Sequence, residues 1–311
     1  MSELTAWLRQ VRDAMKQQNY ASAAEGLKQA VGIARRTGDR ASEGGYLGNL
    51  ATLYQKMGRP EQALRTFNKA LEIARAEADR VTEEGVLGNM GNILRELGHT
   101  DYAVAYLRQA IAMAEDTGDL RGQGNWLSNL GLVYDDLHQY AQAAECHGYS
   151  VDVARELQDR RGLATRLDNL GNSTIATGDY ASGLVYLNEA IDIYREMGEW
   201  RPMTQRLGVV GNLYSELGRF ASETIDRQVF YSIAIDYYQQ GYLTAHEQSD
   251  RQSQAELLRS MGNVFMIMGD YEQAIYRLIP ASQHYHYLQQ REQLADVQRS
   301  LAVAQAERKR K

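Results

Sequence analysis

The sequence predicts an all-α solenoid of antiparallel helix pairs with a C-terminal capping helix, and three observations carry that prediction. Asn49, Asn89, Asn129 and Asn169 stand 40 residues apart, and around them the chain repeats a phrase: LGNLATLYQKMG, LGNMGNILRELG, LSNLGLVYDDLH, LDNLGNSTIATG. Within each phrase apolar residues follow helical spacing, as Leu47, Leu50, Ala51 and Tyr54 do, and again Leu127, Leu130, Gly131 and Tyr134. A glycine closes most phrases, at Gly58, Gly98, Gly178 and Gly218. Self-similarity at this period marks units that bury their apolar faces only by stacking on neighbours.

Taken in order, the units fall at about 2–41, 42–81, 82–121, 122–161, 162–201, 202–252 and 253–292, with 293–311 as capping helix and basic tail. Each opens on a helix and turns at the closing glycine, the residue that adopts positive φ without penalty. His138 and Gln18 stand at the matching place in their units, which predicts less regular turns there. A second helix follows with small and large apolar residues at fixed offsets, Ala63, Phe67, Ala70, Leu71 and Ala74 in one unit, Ala103, Leu107, Ala110, Ile111 and Ala114 in the next. Polar turns such as TGDR at 37–40 and TGDL at 117–120 end the units. Pro60 and Pro202 suit helix starts, whereas Pro280 falls mid-helix and predicts a kink.

The sixth unit departs from the period. Its turn-to-turn spacing, Gly218 to Gly269, is 51, and the 11 extra residues lie within RQVFYSIAIDYYQQGYLTAHEQ. Eleven residues make about three helical turns, so the expectation is a long second helix with Gly241 as its weak point. After the seventh unit, Leu294, Val297 and Leu301 share one face of the cap, and the final ERKRK reads as a frayed end.

Composition narrows function. The chain of 311 residues carries a net charge of −6, which argues against a nucleic-acid partner. One cysteine, Cys146, excludes an intrachain disulfide and suits a reducing cytoplasm. A charged N-terminal stretch and the lack of any long apolar run argue against secretion and membrane insertion. Phosphate-loop, nucleophile-elbow and zinc-helix signatures are absent, and His284 and His286 are two apart on a helix, so no catalytic residue, metal or cofactor is expected.

The two-helix unit, its mid-unit glycine followed by an aromatic residue (Tyr140, Tyr180, Phe220, Tyr271) and the alanine three positions on resemble the tetratricopeptide repeat. The 40-residue variety with its N-L-G phrase is similar to the arrays of Pins-type spindle adaptors and kinesin light chains. The resemblance covers nearly the whole chain. It implies a right-handed superhelix in which the first helix of each unit lines a concave groove, and a cytoplasmic adaptor that holds a peptide or helical segment of a partner protein. The groove positions are then Asn49, Asn89, Asn129 and Asn169 at one level and Asn92, Asn172, Asn212 and Asn263 three residues on. Each amide offers a donor and an acceptor, the pair a peptide backbone needs; the competing role is to bridge neighbouring units. The first row lapses at Val209 and Ser260.

Gly45, Gly48, Gly85 and Gly88 share that face, for close approach by a ligand or by a neighbouring helix. Asp135, Asp136 and Asp168, with Arg95 among them, suggest an acidic middle that selects a basic or polar segment. The family's carboxylate clamp needs basic residues where this chain has Gly48, Gly88, Ser128 and Asp168, so an acidic C-terminal tail is not the expected ligand. Tyr231, Tyr238 and Tyr242 fall on one helical face, which suggests a homodimer contact or, equally, the packing of a long helix. Two further readings stay open: a self-associating scaffold built on the Tyr-rich sixth unit, and a sensory module that binds a small peptide or metabolite.

Overall fold

The computed structural model describes residues 3–310. The described chain forms α1 (Glu3–Lys16), α2 (Tyr20–Thr37), α3 (Arg40–Lys56), α4 (Pro60–Ala76), α5 (Arg80–Glu96), α6 (Thr100–Thr117), α7 (Leu120–Asp136), α8 (Tyr140–Glu156), α9 (Arg160–Ala176), α10 (Tyr180–Glu196), α11 (Trp200–Phe220), α12 (Thr224–Glu247), α13 (Arg251–Met268), α14 (Tyr271–Tyr287) and α15 (Arg291–Arg310), with no strand among the described residues. Two compact units result, the first holding α1–α9 and ending at Asp179, the second holding α10–α15. The division falls inside the span 162–201.

In the first unit a left-handed residue recurs every 20 positions, at Gln18, Gly38, Gly58, Ala78, Gly98, Gly118, His138, Gln158 and Gly178. The helices α2–α9 between them are 17 or 18 residues long. Backbone bonds from the residue after each turn, such as His99 N to Leu94 O at 2.8 Å, close the preceding helix in the Schellman manner. Gln18 (φ 55°) and His138 (φ 57°) adopt the same conformation as the glycines, so these turns are regular, contrary to expectation. His138 also packs edge-on against Tyr140, its Nδ1 2.7 Å from the phenol oxygen.

Aspartates start the inner helices. Asp39, Asp79, Asp119 and Asp159 each accept a bond from the backbone N–H three residues on, at 3.0–3.1 Å, which satisfies a donor the helix start leaves open. Within a hairpin, a small residue on the first helix receives a large one from the second. A Cβ on Gly131 would lie 2.5 Å from the His147 ring, so only glycine admits that ring. Between hairpins α3 packs on α5, α5 on α7, and α7 on α9, so the odd-numbered helices form one continuous layer.

The second unit absorbs the 11 extra residues in both helices of one hairpin. α11 has 21 residues and α12 has 24, against the usual 17, so one helix gains about one turn and the other about two. Whole turns leave the apolar faces in phase. The consequence corrects the expected turn at Gly218: it lies inside α11, buried, with a Cβ position 2.7 Å from the Tyr231 ring, and the chain reverses instead through extended Ala221 and Glu223. Gly241 is no weak point either. It is buried within continuous α12, where its missing side chain admits Leu257. α14 continues through Pro280. α15 lays Val297 and Ala304 into the core of this unit, with Leu294 and Leu301 packed beside them. It is helical to Arg310, and Lys311 lies outside the described residues.

Candidate functional site

The odd-numbered layer of the first unit carries the asparagines. Asn49 and Asn172 are exposed, and Asn89, Asn92, Asn129 and Asn169 are half-buried. Asparagine weakens a helix interior by a few tenths of a kcal/mol, about 0.5 relative to Ala, and the chain itself offers these amides little in return. Among the described residues Asn49, Asn92, Asn129, Asn169 and Asn172 have no side-chain hydrogen bond, while Asn89 Nδ2 donates to Gly85 O of its own helix at 2.7 Å. The competing role, bridging adjacent units, is filled by other side chains. Gln55 donates to Glu96, Arg95 to Asp136, and Arg166 to Asn125, at 2.9, 2.9 and 2.8 Å, each across neighbouring odd helices.

Two clefts open on this layer. Asn89 and Asn129 border one of about 590 Å³ together with Asn125, Trp126, Thr165 and Arg166. Asn49 borders a smaller one of about 240 Å³, walled by Leu8, Val11, Met15 and Tyr46. Arg166 is 6 % exposed, and burial lowers its pKa below the usual guanidinium range. Trp126 lies over Gly88, and its Nε1 donates to the buried Glu84 carboxylate at 3.0 Å. Burial raises the Glu84 pKa, and the indole hydrogen bond opposes part of that rise. Gly88 is thus a packing glycine and Gly48 contacts Val86, whereas Cβ atoms on Gly45 and Gly85 would meet nothing within 4 Å.

The acidic middle is committed within the stack. Asp136 pairs with Arg95, and Asp135 accepts from Ser173 Oγ at 2.7 Å while its other oxygen lies 3.1 Å from His147 Nε2. Asp168 is 8 % exposed. These aspartates do not form a free acidic surface, so the expected preference for a basic segment loses its footing. The aspartate sits between serine and histidine, so the trio ties α7, α8 and α9 together. Sequence reasoning passed over His147, which holds the offset of Phe67 and Leu107 where a large core side chain belongs. Cys146, half-buried beside it, has its thiol pushed up to about 11 by burial, which makes it a poor nucleophile.

In the second unit Asn212 accepts from Tyr238 Oη at 2.7 Å, and Asn263 is exposed. Tyr231 and Tyr238 are each 2 % exposed, and Tyr242 packs partly buried against the same core. The face expected to mediate self-association is therefore interior: glycines at 211 and 218 make room for the two rings. Burial raises the Tyr238 pKa. No helix among the described residues is long and apolar enough to cross a membrane.

A family model described as Tetratricopeptide repeat matches residues 2–76 and 82–156, and a second of the same description matches 163–197. No curated protein matches. Among solved structures, the apo form of RapI superposes over 100% of both chains at 12% identity with a TM-score of 0.64. A signal-transduction ATPase with a tetratricopeptide repeat sensor from Pyrococcus horikoshii matches 98% of this chain and 52% of its own, at 14% identity and a TM-score of 0.65. A putative kinesin light chain repeat protein from Podosopora anserina matches 62% of this chain and 96% of its own, at 17% identity and a TM-score of 0.52. These likenesses are of fold.

Proposed function

The chain belongs to the tetratricopeptide repeat family, and from that premise we propose that it is an adaptor which holds an extended segment of a partner protein along the odd-numbered helices of its first unit. The fold itself is that of a protein-interaction scaffold. The observation that carries the finer reading is the set of amides at Asn49, Asn92, Asn129, Asn169 and Asn172, which lie at two levels, one or two 40-residue units apart within each, and keep their donors and acceptors unused by the described chain. A peptide backbone presents a carbonyl and an N–H at every residue, and an amide side chain satisfies both at once whatever the side chains of the peptide are. Asn89 retains its Oδ1 for the same purpose. The cleft at Asn49, lined by Leu8, Val11, Met15 and Tyr46, supplies an apolar seat at one end of this track.

Asn129→Ala combined with Asn169→Ala tests the reading. Peptides selected from a random display library on the wild-type chain should bind the double variant about tenfold more weakly, because two net amide bonds are each worth about 0.5–1.5 kcal/mol. Helicity should be retained and the melting temperature should stay at or slightly above wild type, since neither amide bonds to the chain and alanine is the better helix former. Undiminished peptide binding would remove the asparagines from the site, and unfolding of the variant would make them structural.

A further inference from the structure

The asparagine row lapses at Val209 and Ser260, and the second unit opens a separate cleft at that place. Thr204, Val209 and Asn212 of α11 face Glu256, Arg259 and Ser260 of α13 across about 300 Å³, near the lower end of the size range for small-molecule sites. Three features of the lining call for a ligand. Thr204 is 2 % exposed, and its Oγ1 is buried with no hydrogen-bond partner, an unfavourable state that a bound polar atom would relieve. Arg259 is half-buried and makes no hydrogen bond or ion pair among the described residues; its guanidinium only lies 5.9 Å from the centre of the Tyr285 ring. Glu256 stands one turn earlier on the same helix, accepts from Gln252, and does not pair with Arg259. Opposite charges three residues apart on a helix are near neighbours. Here they border one cavity without neutralising each other.

We propose that this cleft binds a small zwitterion, a free amino acid or a short peptide, with its carboxylate on Arg259 and its ammonium group at Glu256. The Arg259 fork matches the two oxygens of a carboxylate. Asn212 has its Oδ1 occupied by Tyr238, so Nδ2 remains as a donor, and Thr204, whose hydroxyl is buried without a partner, lines the same wall. The site is independent of the asparagine track in the first unit and stands or falls without it.

Calorimetric titration of the full chain tests the proposal, with free L-amino acids in one arm, unmodified dipeptides in a second, and their N-acetylated or C-amidated forms in a third. At least one zwitterion should bind, and capping either end should weaken it about tenfold or more, as loss of one charge-assisted contact does. Arg259→Gln and Glu256→Gln should each give a similar loss with an unchanged melting temperature, and Thr204→Val a smaller one. Should Arg259→Gln disturb folding, Arg259→Lys keeps the charge without the fork and should retain part of the affinity. The proposal is overturned if no zwitterion binds at about 10 mM, a concentration ample for even millimolar affinity, if capped ligands bind as well as free ones, or if Arg259→Gln and Arg259→Lys are as good as wild type.

Discussion

The first unit and the long hairpin of the second solve one stacking problem with different chemistry. In the first unit turns recur every 20 residues, so equivalent side chains on successive inner helices come opposite one another, and polar pairs about one unit apart in sequence tie the layers: Gln55 with Glu96, Arg95 with Asp136, Arg166 with Asn125. In the second, the helices of α11–α12 are longer by one and two turns, and a ring fills the added contact: Tyr231 sits over Gly218, beyond the regular notch in which Tyr238 sits over Gly211 as His147 does over Gly131, and Tyr214 stacks on Tyr237 with centroids 5.7 Å apart. Regular spacing permits a ladder of exchangeable polar links; a lengthened hairpin needs shape-matched bulk. Damage should therefore be graded, greatest where a ring fills a glycine notch and least where a single polar group is altered.

The sharpest way to break this contrast is Tyr238→Ala. The ring is 2 % exposed, packs on Gly211 and donates to Asn212, so its removal leaves a cavity and an amide without its donor. A loss of about 3–5 kcal/mol is expected, the range for large aromatic truncations. Chemical denaturation measures it, and hydrogen exchange should locate the loosening in α11–α13. A cost below about 1 kcal/mol would mean the ring is not what holds the hairpin.

Next in size is a pair of glycines three residues apart on α5. A methyl group at Gly88 overlaps the Trp126 ring, which its bond to Glu84 keeps from swinging away, so Gly88→Ala should cost about 1–3 kcal/mol through overpacking. Gly85→Ala meets nothing within 4 Å and should stabilise the helix by up to about 1 kcal/mol. Thermal melts of the two variants should move in opposite directions. Equal shifts would show that backbone propensity, not the ring, decides both.

The repeated phrase made the helix pairs legible, because one periodicity gives both the helical face and the unit length. The partition of the 11 extra residues was not legible. An insertion fixes the total, while four residues in α11 and seven in α12 preserve the faces as well as eleven in one helix would, and so Gly218 read as a turn. Tyr231, Tyr238 and Tyr242 share a face whether that face is core or surface, and only the glycines opposite decide it. The asparagine row was visible as a pattern, but its unused bonding capacity depends on which neighbours come within reach. Asp135 shows the reverse: its charge was visible, and its commitment to Ser173 and His147 from two other helices was not.

The smallest expected effect is one of slope. Burial raises the folded-state pKa of Glu84 above its unfolded value, with Asp119 adding to the rise and the Trp126 and Thr117 hydrogen bonds opposing it. Between those two pKa values the folded chain holds more protons than the unfolded one, so this group's contribution to stability falls as pH rises through the window. The sign is opposite to that of Asp39, whose carboxyl is held below its usual value by its bonds to Ser42 and so favours folding as pH rises. Glu84→Gln keeps an oxygen to accept from Trp126 and removes the titration. Its melting temperature should approach wild type as pH falls below the ordinary carboxyl range and exceed it progressively as pH rises through and above that range. A difference that stays constant across that range would assign the pH dependence to another group and leave the Glu84–Trp126 link as a neutral tie between α5 and α7.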